Sequence, residues 1–207
     1  MGHREALLEG ARHCLYERGY ARTSARDIVA ASGTNLASIG YHFGSKDALL
    51  VAAMEQAIDE WGDRLRDTLL HTTLRAGALS RFETIWTRII ESYDTHRPLW
   101  NAVFEALAQT EHSPETRRVL ADALHRGRER IAVTFEEPGT AADPTRTRTT
   151  GAFFQALMVG VMAQCLVDPA RAPSGRDLAT ALRAIVAATQ KRQPKPGGRG
   201  RRPSRTA

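Results

Sequence analysis

The chain has 207 residues, of which 42% are hydrophobic and 25% charged, a composition typical of a folded soluble protein and not of a disordered or collagen-like one. Its formal net charge of +6 arises in one short segment, because residues 190–207 contain seven Lys and Arg and no acidic residue. The rest of the chain has 22 basic against 23 acidic residues, so the basic excess does not describe the folded body.

The sequence lacks the residue patterns of disulfide-rich proteins, metal sites and common enzymes. The two cysteines, Cys14 and Cys165, form no CxxC pair and have no histidine at ligand spacing, so we expect no disulfide framework and no metal site, and a reducing cytoplasm fits best. No Ser, His and Asp constellation and no phosphate-binding glycine loop is present, so we expect no enzyme and no cofactor. The most apolar window, residues 152–167, is 16 residues long and contains two glutamines, which favours a buried helix over a membrane span.

Apolar residues recur every three or four positions along almost the whole chain, which predicts an all-α protein of about nine helices. The first helix should end at Gly19, in the left-handed conformation that suits glycine. A capping box of Ser24 and Asp27 should open a short helix that ends at Gly33. Thr34 or Asn35 can then cap a third helix over residues 36–43, and Ser45 can cap a long helix that starts at Lys46.

The second half of the chain predicts longer helices with clear boundaries. Residues 79–93 form one helix, and His96-Arg97-Pro98 should separate it from the next. The remaining helix boundaries are predicted by cap residues and prolines, which are Ser113-Pro114, Asp143-Pro144, Asp168-Pro169 and Ser174 with Asp177. The basic segment 190–207 contains too few apolar residues to fold by itself.

Residues 24–43 predict two short helices joined by a tight glycine turn, which is how a helix-turn-helix presents its second helix to the major groove of DNA. In helix 36–43 the four-residue spacing places Ile39 and Phe43 inward and leaves the small Ala37 and Ser38 to approach base edges. We expect base contacts from Leu36, Ala37 and Ser38, and phosphate contacts from Thr23, Ser24, Tyr41, His42 and Lys46.

Two stretches resemble the DNA-binding domain of the TetR/AcrR family of bacterial transcriptional regulators. They are Thr23-Ser24-Ala25-Arg26-Asp27-Ile28-Val29-Ala30-Ala31-Ser32-Gly33 and Ser38-Ile39-Gly40-Tyr41-His42-Phe43-Gly44-Ser45-Lys46-Asp47-Ala48-Leu49-Leu50. The resemblance covers about residues 4–50 and departs at Gly40, where many relatives carry an aromatic residue. It implies a three-helix DNA-binding domain, a dimerising C-terminal domain that often binds a small ligand, and repression relieved by that ligand.

The C-terminal half offers a candidate cavity and a candidate interface. An apolar cavity could be lined by Trp86, Trp100, Phe104, Phe153 and Gln155, although core packing is the more frequent explanation for any single one of these residues. Helices 152–167 and 178–189 are candidates for pairing with their copies in a homodimer, because relatives use this arrangement and a helix that is apolar on all sides needs additional cover.

The sequence thus predicts a helix-turn-helix domain at residues 1–46, a ligand-binding and dimerisation domain at residues 47–189 and a disordered basic tail at residues 190–207. We interpret the protein as a cytoplasmic, homodimeric, ligand-responsive repressor that binds a pseudo-palindromic DNA operator and no membrane. The alternative is a helical small-molecule sensor whose N-terminal bundle contacts a protein partner.

Overall fold

The computed structural model describes residues 2–70, 77–135 and 143–191. Within these ranges every regular element is an α-helix, as the apolar spacing predicts. In chain order the nine helices of the described ranges are α1 His3–Arg18, α2 Ala25–Ser32, α3 Leu36–Phe43, α4 Lys46–Leu70, α5 Ala78–Glu91, α6 Tyr93–Gln109, α7 Pro114–Phe135, α8 Pro144–Val167 and α9 Gly175–Lys191.

The predicted caps set the boundaries of the N-terminal helices. Ser24 and Asp27 form the expected capping box, in which each side chain accepts a hydrogen bond from the other residue's backbone amide. Asn35 caps α3, since its side-chain oxygen accepts a hydrogen bond from the Ser38 amide at 3.0 Å. Gly33 ends α2 in the left-handed conformation. Gly19 ends α1 with φ 79° and ψ 178°, so the predicted left-handed helical conformation is wrong there, although the positive φ still suits only glycine.

Helices α1 to α3 pack around the first half of α4. Their shared core contains fully buried residues from all four helices, including Leu7, Leu15, Ile28, Ile39 and Leu50. Residues Leu99, Ala102 and Ala106 of α6 and Leu120 of α7 join the same core. The N-terminal helices are therefore packed directly against the C-terminal half of the chain.

A second core lies between the end of α4 and helices α5, α6, α8 and α9. It contains Trp61, Trp86, Ile89, Met158 and Met162, all buried. Helix α8 packs along α7, and α9 packs along α5. Helices α8 and α9 thus belong to the second core, whereas α3 belongs to the first, and several apolar side chains of α8 and α9 are exposed.

The predicted break at His96-Arg97-Pro98 is wrong. The chain bends at Ser92 instead, and α6 continues through Pro98. Ser92 is held from two sides, because its hydroxyl donates to the Ile89 carbonyl and accepts from the indole N–H of Trp61 at 3.0 Å. Proline is tolerated in the second turn of α6 because only the Asp94 carbonyl loses its partner, and Asp94 is exposed to water.

Helix α8 is longer than the apolar window in the sequence. At 24 residues it is the one helix of the described ranges that is long and apolar enough to cross a membrane by length and composition. Met158, Val161, Met162 and Cys165 of α8 are nevertheless buried in the second core.

The C-terminal segment begins later than predicted. Gln190 and Lys191 belong to the last turn of α9, because the helix that Ser174 and Asp177 open continues past residue 189. The other predicted tail residues, 192–207, lie outside the described residues.

Candidate nucleic-acid interface

Helix α3 is anchored on one face and open on the other. Ile39 is buried in the N-terminal core, and Phe43 packs against that core. The opposite face consists of Leu36, Ala37 and Gly40, all exposed, and of Tyr41, which is 85% exposed. Residues 36, 37, 40 and 41 share one side of a helix because they are spaced by one and four positions. We call these four residues the open face of α3.

Tyr41 and His42 lie at one end of the open face. Their ring centroids are 4.8 Å apart in an edge-on arrangement, and His42 makes a similar, longer contact with Phe43. This places the half-buried His42 beside the exposed Tyr41. Both rings carry groups that can donate to phosphate oxygens.

The placement of Ser38 does not support its predicted contact with a base. Its side chain is only 9% exposed. Its hydroxyl donates to Asn35 Oδ1 at 3.2 Å and lies 3.5 Å from His3 Nδ1. The helical period places residue 38 beside Tyr41 on the surface of α3, but α1 covers that position.

Thr23 is likewise buried, at 2% exposure. Its hydroxyl donates to the Gly19 carbonyl at 2.6 Å, and its amide donates to the Tyr20 carbonyl. These bonds fix the loop before α2, so the placement does not support the predicted contact of Thr23 with phosphate. Ser24 is exposed at the N-terminus of α2, where the helix dipole favours an anion, although its hydroxyl is bound to Asp27.

Lys46 is tied to its own chain. Its ammonium donates to the Thr23 carbonyl at 3.2 Å, lies 3.2 Å from Asp47 Oδ1 and sits 5.6 Å from the centroid of the Tyr20 ring. The side chain is 32% exposed. A phosphate contact at Lys46 would therefore extend a network that already positions the loop before α2.

The first turn of α1 contributes residues that the sequence pattern missed. Arg4 lies over the ring of Phe43 at 5.3 Å, and His3 covers Ser38. Both side chains are exposed beside α3. His3 and Ser38 are 35 residues apart in the sequence. The helical period relates residues within one helix, so it could not predict this contact.

The second candidate site is a cavity of about 290 Å³ lined by residues of α4 to α8. Of the five residues predicted to line it, Trp100 and Gln155 do so. The other three lie elsewhere, because Trp86 and Phe104 pack in the second core and Phe153 is exposed on α8. Apolar walls come mainly from Met54, Ile58, Trp61, Val103, Leu120, Leu124 and Met158.

The rim of the cavity carries ion pairs between α4 and α7. Arg130 of α7 binds Asp59 at 2.7 Å and lies 3.4 Å from Glu55, which also binds Arg126 at 2.7 Å. Burial raises the pKa of Asp59 although Arg130 is adjacent. The charges at the rim are thus paired within the protein, and the interior suits a largely apolar molecule. No group of three or more His, Cys, Asp or Glu side chains in the described ranges is placed to hold a metal ion.

The capped helix pair, the glycine turn and the exposed face of its second helix define a helix-turn-helix DNA-binding regulator. The N-terminal residues 7–53 match the model of the bacterial regulatory proteins of the tetR family, and residues 77–188 match that of the tetracyclin repressor-like C-terminal domain. The chain belongs to the TetR family of transcriptional regulators.

Individual relatives agree with this assignment. The chain is 29% identical over 140 residues to the HTH-type transcriptional repressor AcnR of Corynebacterium diphtheriae. This alignment covers 59% of this chain and 73% of AcnR. A TetR transcriptional regulator from Rhodococcus sp. RHA1 has the same fold, with a TM-score of 0.63 at 17% identity over 89% of this chain and 96% of that one. The multidrug binding protein EbrR, solved with imidazole, matches with a TM-score of 0.60 at 22% identity over 88% and 95% of the two chains.

Proposed function

We propose that this protein is a cytoplasmic repressor that binds a pseudo-palindromic operator as a homodimer and releases it when a small ligand fills the cavity. The open face of α3 is the observation that carries the proposal. An anchored helix whose outer side offers only Leu36, Ala37, Gly40 and Tyr41 can lie deep in a major groove. Repression is inferred from similarity to the repressor AcnR.

The DNA contacts follow from exposure. Leu36 and Ala37 meet base edges, where their apolar atoms suit thymine methyl groups. Tyr41, His42 and the N-terminus of α2 at Ser24 meet phosphates. Ser38 and Thr23 support these residues from below and make no direct contact.

Dimer formation is supported by the apolar surface that α8 and α9 leave uncovered. Phe153 and Val167 of α8 and Ile185 and Val186 of α9 are all exposed. A monomer that exposed these side chains to water would be prone to associate. We propose that two copies bury them against each other, which leaves both α3 helices free for one duplex.

The cavity is the proposed effector site. Its walls come from α4, which begins next to α3, and from α6 and α7, which share the N-terminal core. A ligand that prefers a different spacing of these helices would shift the dimer toward a form that does not fit the operator, by as much as its affinities for the two forms differ. EbrR, a multidrug binding protein of the same fold that was solved with imidazole, agrees with small-molecule binding by this fold.

The proposal is tested by selecting duplexes from a random library with the full-length protein and titrating the recovered sequence by fluorescence anisotropy. We expect a palindrome bound with nanomolar affinity. Tyr41→Ala should weaken it at least tenfold, whereas Tyr16→Ala, at a partly exposed tyrosine of α1, should not. Recovery of no common sequence, or equal affinity of the Tyr41→Ala variant with an unchanged melting temperature, would contradict the assignment.

A further inference from the structure

The loop between α1 and α2 is held by a residue from the C-terminal half of the chain. Glu105 of α6 accepts a hydrogen bond from the Ala21 amide, with 3.0 Å between Oε2 and the nitrogen. The same carboxylate lies against Gly19, where an added Cβ would come within 2.6 Å of Oε2. We call residues 19–23 the α1–α2 loop.

The other side of the α1–α2 loop is also fixed. Tyr20 is buried, and its hydroxyl lies 3.4 Å from Oγ1 of Thr116 in α7, which in turn donates to Asp47 of α4 at 3.0 Å. Lys46 of α4 donates to the Thr23 carbonyl, immediately before the Ser24 cap of α2. The loop is therefore clamped between α4, α6 and α7.

Helix α6 connects this loop with the cavity. Trp100 and Val103 of α6 line the cavity wall, and Glu105 follows Val103 by two residues, which places it on the opposite side of the helix. A displacement of α6 by a ligand would reach the α1–α2 loop directly, in addition to any movement of α4.

We propose that Glu105 is a positioning residue for DNA recognition: by holding the Ala21 amide it fixes the orientation of the α2–α3 pair, and with it the spacing of the two α3 helices in the dimer. This inference rests on the proposed function, since it concerns how the DNA-binding helices of the proposed dimer are positioned. Glu105 touches no DNA, so its loss should relax the choice of half-site spacing and leave binding to a single half-site intact.

The variants separate the hydrogen bond from other effects. Glu105→Ala removes the acceptor, and Glu105→Gln retains a carbonyl oxygen for the Ala21 amide. Glu111→Ala, at an exposed acid just beyond α6, is the matched control for lost charge. If Glu105→Ala does not fold, Glu105→Met takes its place, because it retains side-chain length without an oxygen acceptor.

The first measurement is hydrogen exchange of the full-length protein without DNA. The Ala21 amide should exchange at least about tenfold faster in Glu105→Ala, as expected for the loss of a bond to a charged acceptor. Glu105→Gln and Glu111→Ala should remain close to the wild type. Unchanged exchange in Glu105→Ala would overturn the proposal.

The second measurement uses the selected palindrome with its half-sites moved apart or together by one and two base pairs, and a duplex with one half-site. In Glu105→Ala the preference for the optimal spacing should fall about tenfold, with half-site affinity within twofold of the wild type and with rescue in Glu105→Gln. An unchanged preference, or an equal loss on the half-site and the palindrome, would overturn the positioning role. If the wild type itself selects no sequence, the regulatory function fails, and the exchange experiment still decides whether Glu105 holds the loop.

Discussion

Small side chains are the main property of the open face of α3. Ala37 and Gly40 let the backbone of the helix approach base edges closely, while Leu36 and Tyr41 at its sides provide apolar and hydrogen-bonding contacts. Recognition by such a surface depends on how accurately the helix is positioned, because few side chains can adapt to a misplaced groove. The residues beneath α3 and before α2 are therefore as important as those that touch DNA.

Side-chain exposure is the property that the sequence predicted least well at this scale. The inward Ile39 and the outward Ala37 and Tyr41 follow from the helical period alone. The helical period also predicts an outward Ser38, but His3 of α1 covers it. Thr23 is buried because its hydroxyl binds the Gly19 carbonyl within its own loop. A helical period assigns a face and cannot show which neighbours pack against it.

Tyr20 should make stability sensitive to alkaline pH. Burial raises the pKa of Tyr20 to about 12 from the ordinary value of 10.0, so the unfolded chain loses this proton at lower pH than the folded protein. The contribution to stability is complete below pH 10 and is lost as the pH rises toward 12. The free energy of unfolding of the wild type should fall between these pH values. In Tyr20→Phe the fall should be smaller, by on the order of 1–3 kcal/mol.

Urea denaturation at a series of pH values measures this difference. Tyr41→Phe is the matched control, because Tyr41 is exposed and its variant should follow the wild-type curve. Parallel curves for the wild type and Tyr20→Phe from pH 9 to 12 would show that the Tyr20 hydroxyl is not buried in the folded protein.

At the scale of elements, cap residues predicted the helix boundaries well where the capping hydrogen bonds join residues close together in the sequence. The Ser24 box, the Ser113-Pro114 start and the Ser174 box all operate within four residues and appear as predicted. The boundary between α5 and α6 was misplaced because it depends on a distant contact, the bond from Trp61 to Ser92. Proline at position 98 is a local signal, and here the first turns of α6 tolerate it.

Gly40 should limit the stability of α3. A Cβ at this position would meet no atom within 4 Å, and glycine inside a helix costs about 0.5–1 kcal/mol relative to alanine. We expect Gly40→Ala to raise the free energy of unfolding by about this amount and to slow hydrogen exchange in α3, measured by chemical denaturation and mass spectrometry.

Gly62→Ala in α4 is the control, because a Cβ is equally unobstructed there. It should raise the stability to a similar extent without slowing exchange in α3. Destabilisation by Gly40→Ala would mean that α3 is not the regular, open-faced helix described above.

For the whole molecule, the two apolar cores explain how the chain operates as one unit. Helices α4 and α6 contribute to both cores, so the DNA-binding helices and the cavity share two continuous elements. The helix-turn-helix pattern and the family resemblance predict two domains, but they could not show that α6 and α7 pack against the N-terminal bundle. Four of the five residues predicted to line the cavity are aromatic, and three of these four lie outside it. Aromatic residues occur in cores, on surfaces and in cavities, so their presence in the sequence did not identify the cavity.

The uncovered apolar surface of α8 and α9 is the proposed dimer interface. Ile185 is 61% exposed near the end of α9, so a charge there should oppose an apolar interface without disturbing the cores. We expect Ile185→Asp to remain folded and to become monomeric in analytical ultracentrifugation, whereas Arg183→Asp, at a polar exposed position of the same helix, should remain dimeric. A dimeric Ile185→Asp variant would contradict this interface.

Hydroxyl-radical footprinting on the selected palindrome tests the central claim that two α3 helices occupy one face of a duplex. The wild type should protect two segments whose centres are about one turn apart, roughly 34–36 Å, and Ile185→Asp should protect neither at the same concentration. Protection of a single segment, or of segments on opposite faces of the duplex, would contradict the account.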